Sequence, residues 1–287
     1  MSDAGVAALM IAGGFAAGVF GSLLGLGGGV LIVPLLTLGF GLPLREAVGV
    51  SLVAVIVTSS ASASVYLERH VANLRLGMTL ELFTATGAMV GGLVAFALSD
   101  QVLAALFTVL LLYTAFTMAR RREPGPAAPA MATSDLPATT DEPPLPAEEL
   151  PAEPVTGPTA GTPPYAVRNL PQGIVGSLFA GLVSALLGVG GGLIKVPLMN
   201  LVMGVPLRVA TATSNLMIGI TASASAIIYL LRGGIDPFVA GPTAVGVFVG
   251  ASLGSRTAHR IDVRVLRLLF VVVLLFTAWQ MAGRALG

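Results

Sequence analysis

Apolar residues run through this chain in long blocks, not in stripes. No charged residue occurs from Gly5 to Leu44, and the windows Leu76–Leu98 and Val263–Ala282 each reach the roughly 20 residues needed to cross a bilayer core. The blocks predict six uninterrupted helices, at 45–67, 75–98, 101–119, 207–231, 237–256 and 263–283. Two further segments, 5–40 and 171–204, start as helices and are then broken by glycine. The period-two alternation of a membrane β-barrel is missing.

The two broken segments are near-copies. "LLGLGGGVLIVPLL" from Leu23 to Leu36 returns as "LLGVGGGLIKVPLM" from Leu186 to Met199. A shift of 163 residues aligns the two parts without a gap and makes about four in ten positions identical between Gly21 and Arg122. Pro34 falls on Pro197, "PLR" at Pro43–Arg45 on Pro206–Arg208, Ser51 on Ser214, and Tyr66 and Arg69 on Tyr229 and Arg232. Between the copies, Glu123–Val167 holds 12 of the 19 prolines and half of the acidic residues with no Lys or Arg. That composition lacks the apolar surface to offset its ordering entropy. The organisation expected is a membrane half at 1–122, a disordered tether at 123–167 and a second membrane half at 168–287. The fold class expected is all-α: a polytopic helical membrane protein of two homologous halves, each a glycine-broken re-entrant helix pair plus three transmembrane helices.

Loop charge decides the relative orientation of the halves. If each broken segment crosses once, the halves are parallel and the basic residues of loops and termini divide 8 against 6. If each counts as two arms, the halves are inverted. Arg45, Arg232 and Arg284 then share one face against 11 arginines on the other. The positive-inside rule favours the second arrangement, with the tether cytoplasmic and both termini outside. The opening segment reads as part of the fold and not as a cleaved signal, because Asp3 stands where a basic region would be and its twin lies in mid-chain.

Composition sharpens this picture mainly by exclusion. Of 287 residues, 55% are hydrophobic and only 10% charged, against about a quarter charged in soluble domains. A net charge of +1 without a basic patch gives nucleic acid no footing. The absence of cysteine and the presence of only His70 and His259 argue against disulfides, thiolate nucleophiles and a histidine-rich metal site, and no cofactor is expected. "GLGGGV" places Val30 where a dinucleotide fingerprint needs its last glycine, and no G-x-S-x-G elbow occurs. An enzyme is not expected.

The glycine breaks carry the candidate chemistry. Gly25, Gly27, Gly28 and Gly29, with Gly188, Gly190, Gly191 and Gly192, end the first arm of each segment, since each glycine costs a helix about 1 kcal/mol relative to alanine. Val33 and Val196 precede proline and lean towards extended backbone, while Pro34 and Pro197 suit the first turn of a new helix. The form expected is helix, unwound strand, short helix. Unwound backbone at membrane depth survives only inside protein or beside a watery cavity. Two such breaks at corresponding positions mark a transporter's binding site, and their free N–H groups favour an anion. Close packing by small residues is the structural alternative, and it is the reading preferred for Gly87 with Gly91 and for Gly250 with Gly254.

Lys195, the only lysine, stands where the first half has Ile32. A cation at mid-membrane costs about 2.5–3.5 kcal/mol, so it should face a polar cavity, with snorkelling to the interface as the alternative. No carboxylate partner is evident in sequence, although Glu81 could approach from elsewhere in the fold. Glu81, about a turn and a half inside its helix, is the one acid kept as a possible coupling group. Ser51, Ser214 and Asn215, from the aligned "GVSL" and "TATSNL", complete the expected lining. The clusters Thr58–Ser64 and Thr221–Ser225 read as interhelical glue, and Tyr66 and Tyr229 as part of an interfacial aromatic belt.

"GLGGGVLIVP" and "GVGGGLIKVP" after leucine-rich arms, "PLR" leading into the next helix and "ATSN" within it resemble the sulfite exporter family of the TauE/SafE type, over both membrane halves. The resemblance implies a permease of the bacterial inner membrane that exports sulfite, a related sulfur oxyanion or a small organosulfonate. The partners expected are a small anionic substrate and the lipid bilayer. An anion leaving a negative interior gains about 2.3 kcal/mol per charge per 100 mV, enough for a facilitator to run on potential alone. An anion channel and a non-transporting membrane scaffold are the alternatives.

Overall fold

The computed structural model of the chain describes residues 3–24, 28–68, 72–120, 166–257 and 263–286. Every regular element among them is a helix. The first half contains α1 (Asp3–Leu24), α2 (Gly29–Pro34, continued by a π-helical turn at Leu35–Gly39), α3 (Leu44–Glu68), α4 (Leu74–Ala97) and α5 (Asp100–Arg120). The second contains α6 (Leu170–Leu187), α7 (Gly192–Pro197, continued by a π-helical turn at Leu198–Val202), α8 (Leu207–Leu231), α9 (Pro237–Thr257) and α10 (Val263–Leu286). The expected helix limits agree with these to within three residues. Most of the tether, 121–165, lies outside the described residues.

Six of these helices hold a span long and apolar enough to cross a membrane: α1, α4, α5, α6, α8 and α9. Their outer faces carry large bare apolar side chains. Phe238 on α9 is 86% exposed, Val175 on α6 69% and Met78 on α4 68%, faces suited to a lipid solvent. The chain is a multi-pass membrane protein.

Packing is reciprocal between the halves. The first helix of each half lies along the fourth helical element of the other, α1 on α9 and α6 on α4. The pairs α3–α8 and α5–α10 close the bundle. Backbones approach closely at the first two contacts because glycine lines them. A Cβ at Gly87 would fall on the Leu178 carbonyl oxygen, and one at Gly250 on that of Phe15. Gly87 with Gly91 and Gly250 with Gly254 therefore serve the helix packing expected of them.

Two readings of local structure are corrected. Pro34 and Pro197 do not begin the short helices; they are the sixth residues of α2 and α7. The helix start is set instead by Gly28 and Gly191, whose φ of 75° and 76° turn the chain before any proline is reached. The missing proline N–H then opens the ladder, and the following turns widen, as in the bonds from Met203 N to Leu198 O (3.2 Å) and Val205 N to Met199 O (2.9 Å). The Thr37 hydroxyl caps one carbonyl in this region, donating to Val33 O at 2.8 Å.

Tyr229 is the second correction. It is fully buried, donates its hydroxyl to Ala185 O at 3.0 Å and packs on Phe96, with ring centroids 5.1 Å apart. It belongs to the core and not to an interfacial belt. The side chain of Tyr66 lies outside the described residues. Basic residues near helix ends meet backbone groups. Arg45 donates to Leu98 O at the close of α4 (2.8 Å) and pairs with Asp100 at the start of α5 (3.2 Å).

Candidate functional site

The second glycine break is a tight reversal. Gly188 (φ 69°) ends α6, its N–H donating to Ser184 O at 2.8 Å. Gly191 caps α7, its carbonyl accepting from Ile194 N at 3.1 Å and Lys195 N at 3.0 Å. Any side chain at Gly191 would press on Ser184, on the Ala180 carbonyl and on the Lys195 stem, all within 3.5 Å of a Cβ. In the first break, Gly25 and Gly27 lie outside the described residues. Gly28 caps α2 as Gly191 caps α7, accepting from Leu31 N and Ile32 N at 3.1 and 3.2 Å.

The two breaks touch. A Cβ at Gly29 would land on the Gly188 carbonyl oxygen and lie 3.0 Å from Ser51 Oγ. Ser51 joins them, its hydroxyl 2.7 Å from Gly188 O and 3.2 Å from Gly29 O. One hydroxyl proton serves one acceptor at a time, and the Gly188 carbonyl is the closer. Ser214, the counterpart of Ser51, is buried on α8 about 3.6 Å from where a Gly192 side chain would begin. Its hydroxyl has no hydrogen-bond partner among the described residues. Asn215 is buried beside it, and its carbonyl accepts from Ser59 at 2.7 Å. That Ser59 bond ties α3 to α8, as the glue reading of the Thr58–Ser64 cluster expects.

Lys195 has a partner after all. Its ammonium lies 3.0 Å from Glu81 Oε2 and 2.6 Å from the Thr221 hydroxyl. Thr221 in turn donates to Glu81 Oε1 at 2.6 Å. The three side chains form a closed ring of hydrogen bonds contributed by α7, α4 and α8. All three are buried, Lys195 to 1% and Glu81 to 5% exposure. The expectation of a lysine without a counter-ion is therefore corrected, because the packing of α4 against α6 and α8 carries Glu81 across to it. Snorkelling is excluded for the same reason. Thr221 thus bonds between α8 and α4, as interhelical glue would, and does so beside the lysine.

The repeat-related location, formed by residues of both halves, is neutral. The shift of 163 residues puts Ile32 at the place of Lys195, Ala244 at that of Glu81 and Thr58 at that of Thr221. Both charges are absent together, while the threonine stays. Thr58 is buried, with Ala54 O and Val55 O within 3.1 Å of its hydroxyl.

Sequence reasoning missed two further hydroxyls. Ser184 and Ser177 on α6 are buried and have no hydrogen-bond partner among the described residues. Ser184 adjoins Gly191 next to the lysine stem. The available signal was weak: a serine in an otherwise apolar arm, with Gly21 as its counterpart. Chemically the arrangement offers one buried cation, one carboxylate and several hydroxyls around a backbone reversal. That set can exchange one anionic ligand of the lysine for another.

Residues 10–281 match the family described as Sulfite exporter TauE/SafE. A probable membrane transporter protein of Bacillus subtilis, YunE, is 23% identical over 95% of this chain and 96% of its own. A probable membrane transporter protein of Methanocaldococcus jannaschii is 25% identical over 93% of this chain and 91% of its own. Sulfite exporter TauE/SafE family protein 6 of Arabidopsis thaliana is 34% identical, over 35% of this chain and 23% of its own. No solved structure matches the chain.

Proposed function

We propose that this chain, which belongs to the sulfite exporter TauE/SafE family, is a secondary transporter that exports a small anion, sulfite or a related sulfur oxyanion or organosulfonate. Membrane transport itself follows from the family. The substrate and the site are our reading, and the site is the region where the two glycine breaks meet beside Lys195. The observation that carries it is the contact of the breaks through Ser51, which gathers Gly29, Gly188 and the Gly191–Lys195 turn in one buried place. Broken helices facing each other across two halves are where secondary transporters bind their cargo. A single buried lysine gives such a place an attraction for anions.

The proposal extends to topology. The halves 1–122 and 168–287 act as inverted repeats, with 123–167 a cytoplasmic tether and both termini periplasmic, in a bacterial inner membrane. The reciprocal packing of α1 on α9 and α6 on α4 supports two halves working against each other.

Uptake of labelled sulfite into inside-out vesicles under a set potential tests the reading, with Gly191→Leu and Lys195→Ala as variants. Saturable uptake that both variants abolish is the expected result, and competition by sulfonates then defines the breadth of the site. Uptake unchanged in Gly191→Leu would remove the glycine break from the site. No uptake by correctly inserted wild type would remove sulfite as the substrate. Flux that never saturates would make the protein a channel.

A further inference from the structure

The ion pair poses a problem for the transport reading, because the cation that should hold the cargo is already engaged. Lys195 has three N–H donors. Two of them reach Glu81 and Thr221. An anion added while Glu81 stays ionised would leave two negative groups on one buried cation, a net charge that a low-dielectric interior strongly opposes. The junction of the two halves thus holds a site that is full, in charge terms, before cargo arrives.

We infer that Glu81 is a resident substitute for the transported anion: cargo takes its place on Lys195, and Glu81 leaves the pair by taking up one proton, so that a proton enters the site with each anion. This inference rests on the anion-transport reading above and deepens it. The balance is simple. The carboxylate of Glu81 accepts a proton from the aqueous side and becomes a neutral acid. Lys195 remains an ammonium throughout and trades one anionic ligand for another. No bond other than that O–H forms or breaks. The Thr221 hydroxyl, which accepts from the ammonium and donates to Glu81 Oε1, turns from the carboxylate to the incoming anion.

Three observations converge on this. Lys195 and Glu81 are the only buried charged side chains among the described residues. Of the helices packed against α4, α6 contains no ionisable side chain, and α7 contributes Lys195 alone. On α8, Tyr229 is engaged with Ala185 O, and Arg208 belongs to the first turn, 13 positions before Thr221 in the sequence. Among the described residues, no other titratable group therefore shares the ring. Finally, the repeat-related junction dispenses with both charges at once, having Ile32 from the first half and Ala244 from the second in their places. The fold builds this junction without them, so the pair is present as a unit for a purpose other than folding.

The test uses the full chain in lipid nanodiscs and methanesulfonate, an anion that does not itself titrate near neutral pH. Calorimetry in two buffers of different ionisation enthalpy counts protons taken up on binding, and repeating it from pH 6 to 8 gives the pH dependence. About one proton per anion is expected, with affinity falling roughly tenfold per pH unit, as linkage requires for one coupled proton. Glu81→Gln should bind the anion without proton uptake and with a flat pH dependence, and Lys195→Met should not bind. Wild type that binds methanesulfonate with no proton uptake overturns the inference and leaves the transport reading standing. So does a Glu81→Gln protein that keeps the wild-type slope. The proton count in wild type does not depend on how well any variant folds. Absence of binding or flux for every sulfur oxyanion and sulfonate overturns the anion reading, and the inference falls with it.

Discussion

Removing Lys195 alone should harm the protein far more than removing the whole ion pair. At 3.0 Å and an effective dielectric constant of 20, the attraction between the two charges is about 5–6 kcal/mol. Taking each ion out of water costs several kcal/mol, so the net contribution of the pair lies near zero. Lys195→Met leaves a buried carboxylate supported by Thr221 alone, and broken buried pairs typically cost about 3–5 kcal/mol. Neutralisation caps that cost. Protonating a carboxylate of ordinary pKa near 4.3 at pH 7 takes about 3.7 kcal/mol, and at pH 5 only about 1 kcal/mol. The double change Lys195→Ile with Glu81→Ala reproduces what the repeat-related junction already has at Ile32 and Ala244, and should stay within about 1.5 kcal/mol of wild type. Reversible unfolding in mixed micelles measures wild type, Lys195→Ile, Glu81→Ala and the double variant, whose cycle isolates the coupling, with Lys195→Met beside them. The reasoning fails if the double variant is as damaged as the sum of the singles, or if the Lys195→Met penalty does not shrink between pH 7 and pH 5.

Three other expectations test separate parts of the structure. Gly29→Ala puts a methyl group on the Gly188 carbonyl and should push the breaks apart, costing about 1–3 kcal/mol and most of the anion flux; Gly39→Ala, whose nearest neighbour is the Leu35 side chain at 3.9 Å, should be silent in both assays. Tyr229→Phe strips the hydrogen bond to Ala185 O and should lower thermal stability by about 1 kcal/mol, where a tyrosine of a lipid-facing belt would give no change. Because the chain has no cysteine, Ser2→Cys and Ser134→Cys can each be labelled alone with an impermeant maleimide. Inverted halves require opposite faces to react, and labelling from the same face would sink the inversion.

How much of this was legible in the sequence depends on the range of each interaction. Helix limits were readable because block hydrophobicity is local; α8, expected at 207–231, is found at those residues. That Ser51 lies near the glycine breaks was readable because the internal repeat singled it out, although not that it bridges both of them. Pro34 misled because proline is a common helix starter, while the start was set six residues earlier by the left-handed turn at Gly28. Tyr229 misled because a place near a helix end says nothing about which way the side chain faces. Glu81 was hardest to assign, lying 114 residues from Lys195 on a helix whose partners only the tertiary packing reveals. One clue was nevertheless present. The same shift that set Lys195 against Ile32 also sets Glu81 against Ala244, so the two charges unmatched at this junction are each other's partners.

The paired charges also change what can drive transport. With only the lysine in view, an anion crossing alone would be expelled by the membrane potential. With Glu81 accepting a proton, the loaded site holds an ammonium, a neutral acid and a cargo anion. For a monoanion its charge equals that of the empty, ion-paired site, namely zero. The occupied and empty sites then both cross the low-dielectric interior without net charge, which avoids the cost of moving a bare ion. Potential contributes nothing to a monoanion under this scheme, and its flux follows its own gradient and that of protons. A dianion retains one uncompensated charge and about 2.3 kcal/mol of drive per 100 mV. An anion that is singly charged in mild acid and doubly charged above neutrality would thus leave the cell electrically driven only in its dianionic form, and the dependence of efflux on potential should grow as cytoplasmic pH rises.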